Sequence, residues 1–512
     1  NKLQTHPGSL MILGPMMNVG GPDSVFTNEG IIQPGGMKRA LKTDLSGSFV
    51  QTSTGLLQSE LDFAKQQYDQ IVATGTASVA GRVDITLLNA QLIPSGHFVQ
   101  PLFSGALGAT NNGLQLTTPA SVVVTYKLDN PTGKAVALDY VVDFSLGDMS
   151  RNLTATGDHF NAIQAAGSSP ALASTILKLV YEPDVANYHK EISQISPDFY
   201  GEEQAIMLRS QQRFSESLLG HEISSSEPMD DKGNFIWLEQ EANRGTHDGY
   251  LDYKETAESS SRTTAGVMRN NEAWTGGIAF SSETGTAHGY SDNWTATTDT
   301  SHVGIVVKRE INEFSIAANL EYGWNRDITH RRVDVTTPYD ATSTRYLEAF
   351  GGTVRAAYDF ERVSKNSRYY LRPLLDFGVT QLRVQTANEQ GSGSLNLTLP
   401  GRDETHRWLT PRLEAGLQYT YPSGFALRFF ANGGIQRYLT DPQTIVVAHL
   451  QNAPVGTGDM QVPVELGEDA VQFETGLEFI SSKRMSLQLG YHSLAADRIR
   501  VNSASLDVKI PF

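Results

Sequence analysis

The sequence predicts a mainly β protein. Its carboxyl-terminal half reads as a twelve-stranded antiparallel transmembrane barrel, preceded by short helices and the end of a parallel β-helix. Three observations carry this reading. From about residue 234 onward, apolar and polar residues alternate over segments as long as the ~9–11 residues a tilted strand needs to cross a bilayer. Aromatic residues recur near the ends of the apolar faces, at Trp274, Trp324, Tyr346, Tyr369, Tyr421 and Tyr491, as interfacial girdles require. The polar faces carry full charges repeatedly, which suits a wet interior better than the outer surface of a soluble sandwich.

Bulk composition sets the limits. The 512-residue chain is long enough for two or three domains, and its net charge of −16 argues against nucleic-acid binding through a basic face. It has no cysteine, which excludes thiol catalysis, disulfides and Cys-based metal sites and suits passage through an oxidising space. No apolar run approaches the ~18–20 residues of a membrane helix. Low average hydropathy does not oppose a barrel, because a barrel exposes apolar groups only on alternate residues. The chain begins with Asn1 and shows no signal pattern, so a mature piece or a fragment is expected.

Taken in order, residues 1–35 are rich in Gly, Pro and Met and carry little signal. Residues 36–155 show short Val/Ile/Leu pulses broken by Gly, Thr and Asn. Those near Leu56, Ile71 and Val83 are spaced like β-helix rungs, and "ASVVVTYKL" and "VALDYVVDF" follow as further strands. Residues 156–233 change period and form a helical linker. Pro170, Pro183 and Pro197 each stand at a plausible first helical position, and the third helix has a natural stop at Gly220. "HEISSSEPMDDKG" then links to the barrel at 234–512.

Barrel strands are expected around Phe235, Thr264, Ile278, Ile305, Ile316, Val354, Leu375, Leu413, Phe429, Phe473, Leu487 and Leu506, an even number as single-chain outer-membrane barrels require. The chain ends "ASLDVKIPF". With no edge permitted in lipid, this last strand must pair with the first near Phe235, placing Leu506 toward lipid and Asp507 toward the lumen.

Inward parity gives a wall of Glu321, Asp376, Glu414, Glu474, Glu478 and Asp507, with Arg372, Arg412 and Arg428 interleaved. Glycines recur on the same side, including Gly323, Gly378, Gly416 and Gly476. They provide either room for an enclosed helix ~10–12 Å across or strand curvature. Arg209 and Arg213, four apart on the third linker helix beside Phe214, share one face and are expected against the acidic wall. There is no GxSxG, HExxH, P-loop or GxGxxG motif, and no two of the 12 histidines stand four apart; neither a catalytic group nor a cofactor or metal is expected.

The order of strand-rich segment, short helices and a barrel ending in Phe resembles the autotransporters of type V secretion. "GSFVQTSTGLLQSELDFA…YDQIVATGTASVAGRVDI" looks like the last rungs of a passenger, and "ISPDFYGEEQAIMLRSQQRFSESLL" is similar to the helix preceding the translocator. "SLDVKIPF", with Leu506, Val508, Ile510 and Phe512, looks like the signal read by barrel-assembly machinery; Ile510 stands where an aromatic is commoner. The resemblance implies a right-handed β-helix, a lumen plugged by a helix, and a Gram-negative outer-membrane translocator that exports its own amino-terminal passenger to the cell surface. It also implies that the passenger end seeds passenger folding, and a set of partners: lipid and lipopolysaccharide, periplasmic chaperones, the assembly machinery and the passenger chain. Some members cut themselves in the pore with an Asn, and 219–233 contains none. The rival readings are an outer-membrane barrel protease or phospholipase, and an adhesin whose binding region lies upstream.

Overall fold

The computed structural model describes residues 1–21, 23–220, 234–249, 255–271, 274–289, 294–391 and 393–512. The expected linker over 221–233 therefore lies outside the described residues. The chain divides into two compact units, one built mainly from Asn1–Ile195 and the other from most of Ser196–Phe512.

The first unit is a three-faced parallel solenoid followed by an antiparallel junction and three helices. One face stacks Leu3, Phe26, Phe49, Ala77 and Ala109 in register. A second stacks Ile32, Leu57 and Val83, all fully buried. The pulses at Leu56 and Val83 thus mark successive rungs of one face. Ile71 belongs to the third face, paired with Thr43 and Phe103. Stacking begins at Lys2, so residues 1–35 are rungs of the same solenoid; their strands are only three or four residues long and carry little period. At one corner an amide ladder satisfies buried polar groups. Thr5 Oγ1 donates to Asn28 Oδ1 (2.7 Å), Asn28 Nδ2 to Gln51 Oε1 (3.1 Å), and Gln51 Nε2 to the Ala80 carbonyl (2.8 Å).

Gly96–Gly105, Ala135–Val142 and Val124–Asp129 then pair antiparallel. Three helices follow: α1 (Arg151–Ala165), α2 (Ala173–Val180) and α3 (Val185–Ser193). The expected helical linker begins at residue 156, inside α1, but the helices read from the sequence start only at Pro170, so α1 is an additional helix. Ser150 caps it by accepting from the Leu153 amide, and Gly157 lets it close on the Phe144 carbonyl, 2.4 Å from where a Cβ would sit. Of the three prolines only Pro170 occupies a first helical position, opening a 3₁₀ turn before α2. Pro183 precedes the cap residue Asp184, and Pro197 stands just outside helix α4 (Phe199–Gly220). The expected helical linker is therefore split: α1–α3 belong to the first unit and α4 to the second.

The second unit is a closed barrel of twelve antiparallel strands. They are β1 (Phe235–His247), β2 (Thr256–Asn271), β3 (Trp274–Gly289), β4 (Trp294–Ile311), β5 (Phe314–Val333), β6 (Tyr339–Tyr358), β7 (Ser367–Val384), β8 (Arg402–Thr420), β9 (Ala426–Tyr438), β10 (Asp469–Ile480), β11 (Ser486–Ala496) and β12 (Ile499–Pro511). Each of the twelve expected strand centres falls in a different strand. β12 closes on β1 from Phe235↔Pro511 to His247↔Ile499. Leu506 points outward at 42% exposure and Asp507 inward at 4%. Trp274, Trp324, Tyr346, Tyr369, Tyr421 and Tyr491 are all outward and exposed. No helix among the described residues is long and apolar enough to cross a membrane; the strands cross instead.

Candidate functional site: an occupied lumen

α4 lies inside the barrel. Its 22 residues span ~33 Å and nearly all are buried, polar ones included: Glu203, Gln211, Ser210 and Ser215 are each 3% exposed or less. Such a helix has no single apolar stripe because the wall around it alternates charge, hydroxyl and apolar groups. Its carboxyl end sits beside Phe235 and Trp237 at the start of β1. Its amino end sits at the opposite mouth, beside Arg331 and Ser343.

Ion pairs fix the middle of the helix. Arg209 Nη2 donates to Glu258 Oε2 (2.6 Å) and Arg213 Nη2 to Glu283 Oε1 (2.7 Å). Glu283 also accepts from Ser260 (2.5 Å) and from Ser210 of the helix. On the other side, Glu216 pairs with Arg412, which reaches Asp376 at 3.4 Å; Asp376 takes a bidentate grip from Arg355 (2.7 and 2.9 Å). Ser215 donates to Thr353 (2.9 Å), and Lys308 Nζ donates to the Leu219 carbonyl (2.9 Å), one of the carbonyls a helix end leaves unpaired.

All the wall residues read from parity face inward, but they do not act as one wall. Glu321 and Asp376 lie on the helix side. Glu414 accepts from Tyr370 (2.7 Å), and Glu478 meets Arg428 (3.2 Å) and Lys509 (3.7 Å). Glu414, Arg428 and Lys509, with Glu474 and Asp507, line a chamber of about 140 Å³ beside the helix, closed on the near side by Arg213 and Glu216. The partners of Arg209 and Arg213, Glu258 on β2 and Glu283 on β3, are not among the acidic residues proposed from the sequence. The signal was present: extending the parity of Thr264 backward puts Arg262, Ser260 and Glu258 inward.

The lumen is also less uniformly polar than expected. Phe214, Leu218 and Leu219 pack against Phe235, Trp237, Met268 and Val306, with Phe214 stacked on His302 at 5.1 Å. Met207 and Leu208 pack against Leu347, Leu382 and Trp408. The inward glycines make room for the helix at some places and for aromatic rings of the wall at others. A Cβ at Gly323 would stand 2.6 Å from Gln211 and 2.9 Å from Met207, and one at Gly304 2.5 Å from Leu218, so these make room for the helix. Gly378, Gly416 and Gly476 are instead covered by the rings of their ladder partners Trp408, Tyr370 and Phe430.

At the amino-end mouth, residues 387–391 and 393–399 turn inward. Glu389 takes Arg331 through both oxygens (2.7 Å each) and accepts from Leu397 N (2.7 Å) and the Tyr200 hydroxyl (2.9 Å). Strands Gln443–Leu450 and Met460–Glu465 pair above it, and Val464 presses so close to Gly201 that a Cβ there would be 2.3 Å away. At the other mouth Leu506, Val508 and Ile510 lie on the ladder between β11 and β1, and Phe512 N donates to the Asn234 carbonyl (2.9 Å).

The model of the autotransporter beta-domain family matches residues 236–492, just over half of the 512. Among solved structures, the translocator domain of autotransporter NalP from Neisseria meningitidis is similar at 14% identity and a TM-score of 0.46, covering 61% of this chain and 98% of that one. The transport unit of autotransporter AIDA-I from Escherichia coli is similar at 14% identity and a TM-score of 0.42, covering 60% and 98%. The beta domain of the Bordetella autotransporter BrkA is similar at 14% identity and a TM-score of 0.42, covering 55% and 100%. No curated protein sequence matches. The family match thus falls on the barrel that encloses α4, and the chain belongs to the autotransporter family, as an outer-membrane translocator for a passenger.

Proposed function

We propose that the barrel carries the amino-terminal part of its own chain to the cell surface and keeps α4 in the lumen afterwards. The observation that carries this is the run of α4. Its carboxyl end stands at the mouth where β1 begins and its amino end at the far mouth, so the helix runs the length of the lumen from one mouth to the other. A translocated segment left in place would lie in this way.

Transport of this kind needs a wet path rather than a catalytic group, so we read the chain's own work as secretion without catalysis. The charged chamber beside the helix supports that reading. The solenoid offers exposed rung edges on which further rungs can stack, which supports a role in seeding passenger folding. Leu506, Val508, Ile510 and Phe512 are proposed as the handle for barrel-assembly machinery, with periplasmic chaperones guarding the unfolded chain and lipid with lipopolysaccharide around the barrel.

The test is protease added to intact cells that express the chain. Cleavage within residues 1–195 without permeabilising the outer membrane is the expected result. Cleavage there only after permeabilisation would place the solenoid in the periplasm and refute the proposal.

A further inference from the structure

The outward apolar band of the barrel is uneven in height. On β5 the outward residues stay apolar from Phe314 to Trp324, ~33 Å along the strand and ~25 Å along the barrel axis at a tilt near 40°. β7 from Tyr369 to Val379 and β8 from Tyr419 to Leu409 match it. On β1 the band consists of Ile236 and Leu238, and Gln240 follows. On β2 it consists of Val267 and Ala265 before Thr263; on β3 it ends at Phe280 before Ser282. On β11 it stops at Tyr491.

These polar positions are level with the band elsewhere. The ladder row from Ser261 runs through Thr284 and Asp299 to Arg326 on β5. Rows climb toward the loop end: the row that starts at Phe235 passes Met268 and Gly277, each three residues from the β2–β3 turn, and then Val306 and Asn319, each five residues from the β4–β5 turn. At ~4.8 Å between strands the climb is ~3 Å per strand, or ~9 Å by Arg326. Tyr322, four residues nearer the turns and ~10 Å lower, therefore stands at the height of Ser261. Tyr322 is an apolar-band residue, whereas Ser261 is a hydroxyl.

The outward polar groups also satisfy one another. Gln240 Nε2 donates to Ser261 (2.9 Å) and Gln240 Oε1 accepts from Thr263 (2.6 Å). Ser259 and Thr286 lie 3.1 Å apart, and Tyr491 donates to Asn502 (2.7 Å). The patch covers β1, β2 and β3 and extends to β11 and β12, where the outward residues stay apolar to Tyr491 and Ala504 and turn polar at Asn502, so it straddles the closure of the barrel.

We propose that the outer membrane is thinned against this seam, the lipid there meeting a band ~10 Å shorter than on the opposite wall. The proposal rests on the outer-membrane placement of the barrel. Its consequence is that hydrocarbon covers only the turn-end part of the β1–β12 ladder. The remaining pairs of this closing contact meet water, which can satisfy their backbone groups before they join.

The absence of cysteine allows single spin labels at Ser261, Tyr322 and Leu413 in the full chain refolded into phospholipid vesicles, each read for accessibility to oxygen and to a water-soluble nickel chelate. The expected result is an inverted ratio: nickel over oxygen at Ser261, oxygen over nickel at Tyr322 and Leu413. A Ser261 label as oxygen-exposed as Tyr322 would overturn the thinning, and a Ser261 label shielded from both would do so in favour of a covering partner. Water exposure at Tyr322 and Leu413 as well would overturn the membrane placement itself, and the proposal with it. In the variant Gln240→Leu, Ser261→Val, Thr263→Val, Ser282→Val, a label at Thr284 should pass from water into lipid; a label that stays in water would contradict the proposal.

Discussion

Removing Arg213 tests how the lumen holds its helix. Arg213 is 11% exposed and its partner Glu283 3%, so truncation leaves a buried carboxylate without its cation. Breaking such a pair from one side costs about 3–5 kcal/mol. Ser260 and Ser210 still donate to Glu283, and Arg213 borders the chamber, so the low end, about 3 kcal/mol, applies. That is roughly a 150-fold rise in the fraction of molecules whose helix has left its seat. Adding Glu283→Gln removes the stranded charge, leaving a loss of about 1 kcal/mol, or about fivefold. The assay is the thiol modification rate of a cysteine at Ala205, fully buried against Leu347 and Trp408 in the seated state. A large acceleration is expected for Arg213→Ala and a small one for the double variant. Equal acceleration in both would mean that the two residues are not energetically coupled.

Gly304→Leu should drive the helix out by collision with Leu218 and Phe214 while the strands still close, seen as a barrel that keeps its heat-modifiable gel mobility but loses α4 to trypsin. Lys308→Met should loosen the last turn of α4 by about 1–2 kcal/mol, seen as faster amide exchange at Leu218 and Leu219 with no change nearer Tyr200. In the solenoid, burial pushes the Asp69 carboxyl up to about 8 from its usual 3.8, despite hydrogen bonds from the Leu41 and Glu60 amides. A raised pKa means that Asp69 contributes stability that is complete below pH 3.8 and lost as pH rises toward 8. Amide exchange at Leu41 and Glu60 should quicken over that window, and Asp69→Asn should flatten the change.

The barrel was legible because period two is written directly into β5, β8 and β10, and because a closed sheet leaves Leu506–Phe512 one partner. What escaped was set by shape rather than pattern. The rungs before residue 35 are too short for a period, and the step between stacked residues widens from Phe26–Phe49 to Ala77–Ala109. α1 carries Asn152, Thr154, Thr156, Gly157 and Asn161, weak helix formers, and is held by contacts such as Gln164 Nε2 on the Ile93 carbonyl (2.8 Å), which no local pattern encodes. Parity told which side chains face the lumen but not which of them a helix would meet. Glu258 and Glu283 were therefore missed, although each lies on a readable strand, and the division of glycines between helix and ring contacts needed the three-dimensional register.

Whether α4 fills the lumen of the closed barrel can be read from a cross-link. Ser215 and Thr353, both buried, have side-chain oxygens 2.9 Å apart. With cysteine at both positions in an otherwise cysteine-free chain, mild oxidation of outer membranes should give an intramolecular disulfide in nearly every molecule. A pair that stays reduced, while a lone cysteine at 215 is freely alkylated from water, would contradict the account.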